Sequence, residues 1–342
     1  LGLLKQSFRL LLAELRPTDE VAIVTYAGSA GTALEPTKAA NAAAILNALD
    51  GLNAGGSTAG QAGLRQAYQL AEQMKQDGDI SRVLLATDGD FNVGINDPDQ
   101  MKSFIEKNRD SGTYLSVLGF GRGNYRDDMM QTLAQNGNGT AAYIDTLAEA
   151  QKTLVDQLSG ALFPIANDVK IQVEFNPSEI AEYRLIGYET RALNREDFNN
   201  DKVDAGDIGA GHSVTAIYEI TPVGSPAVKV DPLRYAEQGE SDFVPSEEMG
   251  FLKMRYKKPG DSASSLLETQ ILRNEVAGSD DVRFAAAIAG FGQLLRDDTY
   301  LGDWDWDAAI ALANGAKGED TYGYRAEAVQ LMRLAESLSA QQ

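Results

Sequence analysis

Hydrophobic residues change their spacing along the chain, and those changes divide it. Over residues 1–16, Leu3, Leu4, Phe8, Leu11, Leu12 and Leu15 fall on one broad helical face, which Pro17-Thr18-Asp19 ends. Val21-Ala22-Ile23-Val24-Thr25-Tyr26 is continuous rather than alternating, as in a strand buried on both faces. Gly28 to Gly31 turn the chain, and Leu34 to Thr37 predict a short edge strand containing Pro36. An alanine-rich helix over Ala39 to Leu49 follows, then a turn at Gly55-Gly56 and a helix from Thr58 to about Lys75. The pattern continues with strand 82–87, helix 98–110, strand Tyr114 to Leu118, helix 125–135, strand Ala141 to Ile144 and helix 147–162. Strands alternating with helices of about 10–15 residues predict an α/β fold with a Rossmann-like, doubly wound parallel sheet.

Phe163-Pro164 marks a boundary. Val169-Lys170-Ile171-Gln172-Val173-Glu174-Phe175 alternates with period two, as a half-buried antiparallel strand should. Tyr183 to Glu189, Ser213 to Ile220, Phe251 to Tyr256 and Leu266 to Leu272 follow in the same style, separated by turn-rich segments, which predicts a β-sandwich. From Asp280 the pattern is helical again, over 281–296, 303–314 and 322–338. The expected organisation is an α/β domain over 1–163, a sandwich over 164–275 and a helical segment over 276–342 that packs on it.

Two stretches carry candidate chemistry. Gly55-Gly56-Ser57-Thr58 is a glycine turn that opens a helix with a hydroxyl. Thr87-Asp88-Gly89-Asp90 places a carboxylate just past the strand Arg82 to Ala86. In open α/β sheets ligands bind in the crevice beyond the carboxyl ends of the strands, where both stretches are expected. A hydroxyl and a carboxylate meeting there suit a hard cation such as Mg²⁺. Each residue has a plainer reading, Ser57 or Thr58 as a helix N-cap and Asp88 as the cap of a turn. The fold pattern that brings both to one rim favours a site.

The arrangement resembles the metal-ion-dependent adhesion site of von Willebrand factor type A domains. That family holds its ion with Asp-x-Ser-x-Ser after the first strand, a Thr in a glycine-rich loop and an Asp after a later strand. Thr58 and Asp88 match the second and third loops. Leu1 to Phe8 resembles the helix that follows the first loop, so the first loop and its central strand are expected from residues before Leu1. The resemblance implies direct contact of the ion with Thr58, contact through water with Asp88, and an open coordination position for a partner's Asp or Glu. Gly56, Ser57, Gly89 and Asp90 would form the surrounding partner-binding face. The ion expected of the intact protein is Mg²⁺, or Mn²⁺ or Ca²⁺ in its place. With the two serines and the first aspartate absent, this chain by itself is expected to hold no well-ordered ion. Glu174-Phe175-Asn176-Pro177, Tyr183 to Glu189 and Glu196 to Asp201 further resemble the region behind the A domain in a group of bacterial envelope proteins. That implies a periplasmic or cell-surface protein with a lipid anchor upstream, acting as an interaction module and not as an enzyme. A structural or regulatory module with a vestigial metal site is the alternative.

Rival motifs fit less well. Asp88-Gly89-Asp90-Phe91-Asn92 has the spacing that opens a calcium loop, but Val93 replaces the glycine at position six and Asp99 the glutamate at position twelve. Asp88 and Asp90 also match the aspartyl pair of dehalogenase-type phosphatases, a hydrolase reading that Phe91-Asn92 does not fit. The acidic stretch with Asp197, Asp201, Asp204 and Asp207 has Lys202 where a calcium loop needs glycine, and reads as a solvated loop. Gly119-Phe120-Gly121-Arg122-Gly123 lacks the third glycine and downstream acid of a dinucleotide fingerprint. Trp304 and Trp306 are expected to anchor the helical segment to the sandwich.

Composition narrows the function further. The chain has no cysteine, so thiolate nucleophiles, zinc–thiolate sites and disulfides are excluded; its single histidine, His212, leaves little for a histidine-based triad. A formal net charge of −20 repels nucleic acid and anionic lipid, both bound chiefly through Lys and Arg. No apolar run reaches the roughly 20 residues needed to span a bilayer.

Overall fold

The computed structural model describes residues 1–26, 30–53, 55, 60–76, 79–88, 98–121, 127–157, 164–187, 193–203, 205–231, 247–274 and 278–340. The chain divides into two compact units, Leu1–Ile165 with Asp207–His212, and Ala166–Gly206 with Ser213–Gln342.

In the first unit, α1 (Gly2–Glu14) leads to β1 (Glu20–Thr25), which pairs antiparallel with β2 (Gly31–Lys38). A 3₁₀ turn at Ala39–Asn41 opens α2 (Ala42–Gly51), followed by α3 (Gly60–Met74), β3 (Ser81–Thr87), α4 (Pro98–Asp110), β4 (Thr113–Phe120), α5 (Asp127–Asn136) and β5 (Ala141–Ile144). β3, β4 and β5 form a parallel sheet in that order. The helix expected over 147–162 is α-helical as α6 (Leu147–Gln151), where Thr146 Oγ1 accepts from the Glu149 N–H, and continues as a π-helix over Lys152–Gln157.

Period-two alternation along β4 explains why helices cover both faces of this sheet. Leu115 and Val117 join Val83 and Leu85 on one side, packed with Leu64 and Tyr68 of α3, Met101 and Ile105 of α4, and Met130 and Leu133 of α5. Leu118 and Phe120 face the other way, against Ile144, Ala150, Leu154 and the apolar stripe Leu3, Leu4, Phe8 and Leu11 of α1. The doubly wound α/β reading is thus correct. β1 and β3 lie in separate sheets, with no ladder between them among the described residues. Among the described residues β1 forms a ladder only with β2 and β3 only with β4, and α3 packs against both β1 and β3.

The second unit begins with β6 (Pro164–Phe175), β7 (Ile180–Leu185) and a 3₁₀ turn (Arg195–Asn199). β8 (Gly206–Gly209) lies almost wholly in the segment that belongs to the first unit, and the second unit resumes with β9 (Tyr218–Pro222), β10 (Glu248–Lys257) and β11 (Ser265–Leu272). β10 pairs antiparallel with both β6 and β11, and β7 with β9. The strand expected over Tyr183 to Glu189 instead ends at Leu185, because the chain turns through Gly187 at φ 123°. The strand expected from Ser213 begins only at Tyr218, and β8 carries no alternating signal in its Gly-Asp-Ile-Gly sequence. Arg184 fastens β7 to its surroundings: its guanidinium donates to Glu219 at 2.7 Å and to Asp298 at 3.1 Å, and lies 4.3 Å from the centre of the Tyr300 ring.

Three helices close the chain: α7 (Asp280–Leu295), α8 (Trp306–Gly315) and α9 (Tyr324–Ser339). Ser279 and Asp305 cap the first two by accepting from the N–H groups of Val282 and Ala308. Ala287, Ala313, Val329 and Met332 form their core. Trp304 lies directly over Gly290 of α7, where a Cβ would sit 2.3 Å from its indole nitrogen. Trp306 meets Phe291 edge-on at 5.9 Å. The described contacts of both tryptophans therefore bind helix to helix.

Candidate interaction site at the carboxyl rim

β3 ends at Thr87, which is buried, and the next residue, Asp88, is exposed. A strand whose alternate residues Val83, Leu85 and Thr87 are buried thus delivers a carboxylate to the surface at its carboxyl end, the position expected of a site in this fold. Two neighbouring strand ends meet it there. β4 runs out at Phe120 into Gly121, whose φ of 100° favours glycine, and a Cβ at 121 would lie 3.9 Å from the Asp88 Cβ. Tyr143 of β5 donates its hydroxyl to the Gly121 carbonyl. β1 ends just before Tyr26, whose hydroxyl donates to the Ala86 carbonyl at 2.5 Å.

Tyr26 also explains a glycine inside α3. A Cβ at Gly63 would stand 2.5 Å from the Tyr26 Cβ, so only glycine lets the helix approach this closely. The tyrosine therefore touches the helix that begins at Gly60 and the strand that leads to Asp88. Burial pushes its phenol up to about 12, aided by the Asp88 charge and opposed by a hydrogen bond with Thr87. At neutral pH it stays protonated and acts as a hydrogen-bond donor.

Of the residues singled out from the sequence, Asp88 is placed at this rim. Gly56, Ser57, Thr58, Gly89 and Asp90 lie outside the described residues. Sequence reasoning missed Tyr26, Gly63, Gly121 and Tyr143. An aromatic ending a buried strand and a glycine inside a helical pattern were the available signals for the first two. The acidic stretch does not converge: Asp197 accepts from Asn194, Asp201 from the Ser264 N–H, and Asp207 from Asn138 in the first unit, while Asp204 lies outside the described residues. His212 is exposed.

Among the described residues no group of three or more Asp, Glu, His or Cys side chains could hold a metal ion. Mg²⁺ takes close to six oxygens in octahedral geometry, which Asp88 and the neighbouring carbonyls engaged by Tyr26 and Tyr143 do not supply. The described donors do not fit the ion by themselves. What they form is an exposed carboxylate on a braced rim, an arrangement suited to recognition. No helix among the described residues is long and apolar enough to cross a membrane.

Comparison with known proteins agrees with this architecture. Residues 3–157 match the model of the von Willebrand factor type A domain. Residues 160–338 match the model described as Uncharacterized protein YfbK, C-terminal. The Uncharacterized protein YfbK of Escherichia coli (strain K12) is 47% identical over 340 residues, 99% of this chain and 59% of that protein. The Uncharacterized protein sll0103 of Synechocystis is 29% identical over 143 residues, 42% of this chain and 33% of that protein. This chain therefore spans between a third and three fifths of the length of these relatives. Among solved structures, a von Willebrand factor type A protein from Catenulispora acidiphila aligns with a TM-score of 0.48 at 18% identity, over 95% of this chain and 77% of that one. Proximal thread matrix protein 1 from the mussel byssus, solved with a zinc-occupied MIDAS motif, aligns with a TM-score of 0.38 at 22% identity, over 47% of this chain and 40% of that one. The chain belongs to the family defined by the YfbK C-terminal region, which it carries behind a von Willebrand factor type A domain.

Proposed function

We propose that this protein is a non-enzymatic, adhesion-type interaction module of the bacterial envelope that presents the carboxyl rim of its α/β sheet to a protein partner. The observation that carries the reading is the exposed Asp88 at the end of β3, beside Gly121 and two residues after the Ala86 carbonyl that the Tyr26 hydroxyl engages. Von Willebrand factor type A domains serve in general as protein-interaction modules, which supports the coarse function.

The finer reading adds an ion. In the longer protein, Thr58 and Asp88 together with an Asp-x-Ser-x-Ser loop would hold Mg²⁺, with Gly56, Ser57, Gly89 and Asp90 around it. A partner's Asp or Glu would complete the coordination shell, which accounts for an acidic protein binding an acidic group. A periplasmic or cell-surface location with an upstream lipid anchor fits this role.

Substituting Asp88→Ala in the full-length protein is expected to abolish capture of its partner from an envelope extract, and EDTA to do the same to the unsubstituted protein. Asp88 is exposed, so the unfolding free energy is expected to change by no more than about 0.5 kcal/mol, as for neutral surface substitutions. Capture that survives both treatments would refute the proposal.

A further inference from the structure

The second unit carries a polar depression of about 430 Å³ lined by Gln172, Glu174, Arg195, Glu196, Asn199 and Lys253. Its floor follows from strand pairing. Gln172 and Glu174 are two apart on β6 and project to one face, and Lys253 of β10 is the register partner of Gln172, so it projects to the same face. Its wall is the 3₁₀ turn Arg195–Asn199, in which Glu196 and Asn199, three residues apart, share a side.

That wall is built into the fold. Lys170, on the same face of β6 and only 2% exposed, donates its ammonium to the carbonyls of Asp197 and Asn200. Phe198 is buried beneath the turn, and Arg255 lies 5.7 Å from the centre of its ring. The same arginine donates to Asn199 Oδ1 at 3.0 Å. Lys257 is committed to Asp168 at 2.6 Å and to the Asp201 carbonyl. Of the five cations around this face, Lys170, Arg255 and Lys257 are therefore engaged in structure. Arg195 and Lys253 make no ion pair with the described residues; Lys253 only passes 5.7 Å from the centre of the Phe251 ring. Glu174 and Glu196 are unpaired in the same sense.

Two cations and two carboxylates thus line one preformed depression without neutralising one another. A simple anion would satisfy one pair and be repelled by the other, and a simple cation likewise. A ligand carrying both charges satisfies all four, while Gln172 and Asn199 supply amide donors and acceptors between them. We propose that this depression binds a zwitterionic, amino-acid-like ligand such as a short peptide with free termini, its carboxylate held by Arg195 and Lys253 and its ammonium by Glu174 and Glu196. The site is separate from the carboxyl rim and does not depend on the function proposed there.

Amide NMR of the whole chain, titrated with glycylglycine, tests the proposal. Saturable shifts are expected at Gln172, Asn199 and Lys253, and Lys253→Ala or Glu174→Ala should each weaken binding about threefold to tenfold, as for partly exposed charged contacts. N-acetylglycylglycine and glycylglycine amide, each lacking one charge, should bind more weakly by a similar factor. Circular dichroism of both variants confirms that they are folded. The proposal is overturned if glycylglycine leaves these amides unmoved, if the capped peptides bind as well, or if neither substitution changes the affinity.

Discussion

Gly139→Ala is expected to destabilise the first unit by more than about 4 kcal/mol, enough to abolish its cooperative unfolding transition. A Cβ at this position would lie 1.9 Å from the Leu115 carbonyl oxygen and 2.5 Å from its carbon, contacts that no rotamer can relieve because both partners are backbone. Either the loop or β4 must move. The loop is held by hydrogen bonds from the Gly139 N–H to the Ala134 carbonyl and from the Leu115 N–H to the Gly137 carbonyl, both at 2.9 Å. β4 is the strand around which the sheet's two cores are organised, with Leu115 and Val117 fully buried. Gly51→Ala is the matched control. A Cβ there meets nothing within 4 Å, so it should be neutral or stabilise by about 0.4–1 kcal/mol. Thermal unfolding followed by circular dichroism checks both; a Gly139→Ala protein that melts like the unsubstituted chain would show that the close approach is wrong.

The next largest effect is expected at Arg82, where β3 begins. Its guanidinium donates to Ser116 Oγ at 2.8 Å, stacks 5.3 Å from the centre of the Tyr114 ring and feels the charge of Asp207. Burial pushes its pKa down to about 10, with Tyr114 and Asp207 acting in the opposite sense, so it remains charged at neutral pH. Asp207 accepts from Asn138 at 2.8 Å and belongs to the short segment, Asp207–His212, that folds with the first unit. Arg82→Ala removes the cation, the stacking surface and a hydrogen bond together. The expected cost is about 2–3 kcal/mol, below the range for a wholly buried pair because Arg82 retains some exposure. A double-mutant cycle with Asp207→Ala should give less than the sum of the two single effects, since each variant already loses their mutual attraction. Strict additivity would show that the two charges do not interact.

The sequence made the α/β domain legible because its signals were local. Continuous apolar runs marked β1, β3 and β4, and the predicted edges of α4 and β5 match the structure. The pattern was weaker where tertiary contacts decide the conformation. β8 is four residues with glycine at both ends and offers no alternation, and nothing in the apolar spacing sets apart the π-helix at Lys152–Gln157, in which Thr153 and Leu154 are buried. Charge pairs were the least legible feature. The acidic stretch after Phe198 looked like one solvated loop, yet Asp201 and Asp207 each have a specific partner far away in sequence, Ser264 and Asn138. At the candidate site Asp88 was found by its place after a strand. Tyr26 and Gly121 were not: an aromatic closing a strand marks a position but not its bond to a main-chain carbonyl, and the close backbone approach at Gly121 leaves no motif.

The central claim, that the Thr58 hydroxyl and the Asp88 carboxylate converge at one rim, can be tested through the absence of native cysteine. A Thr58→Cys/Asp88→Cys variant treated with a short bifunctional maleimide should form an intramolecular bridge, detected as a mass shift with no free thiol. A Thr58→Cys/Ser111→Cys variant, whose second position precedes the opposite end of β4, should take up two singly attached reagents instead. Bridging of the second pair and not the first would contradict the account.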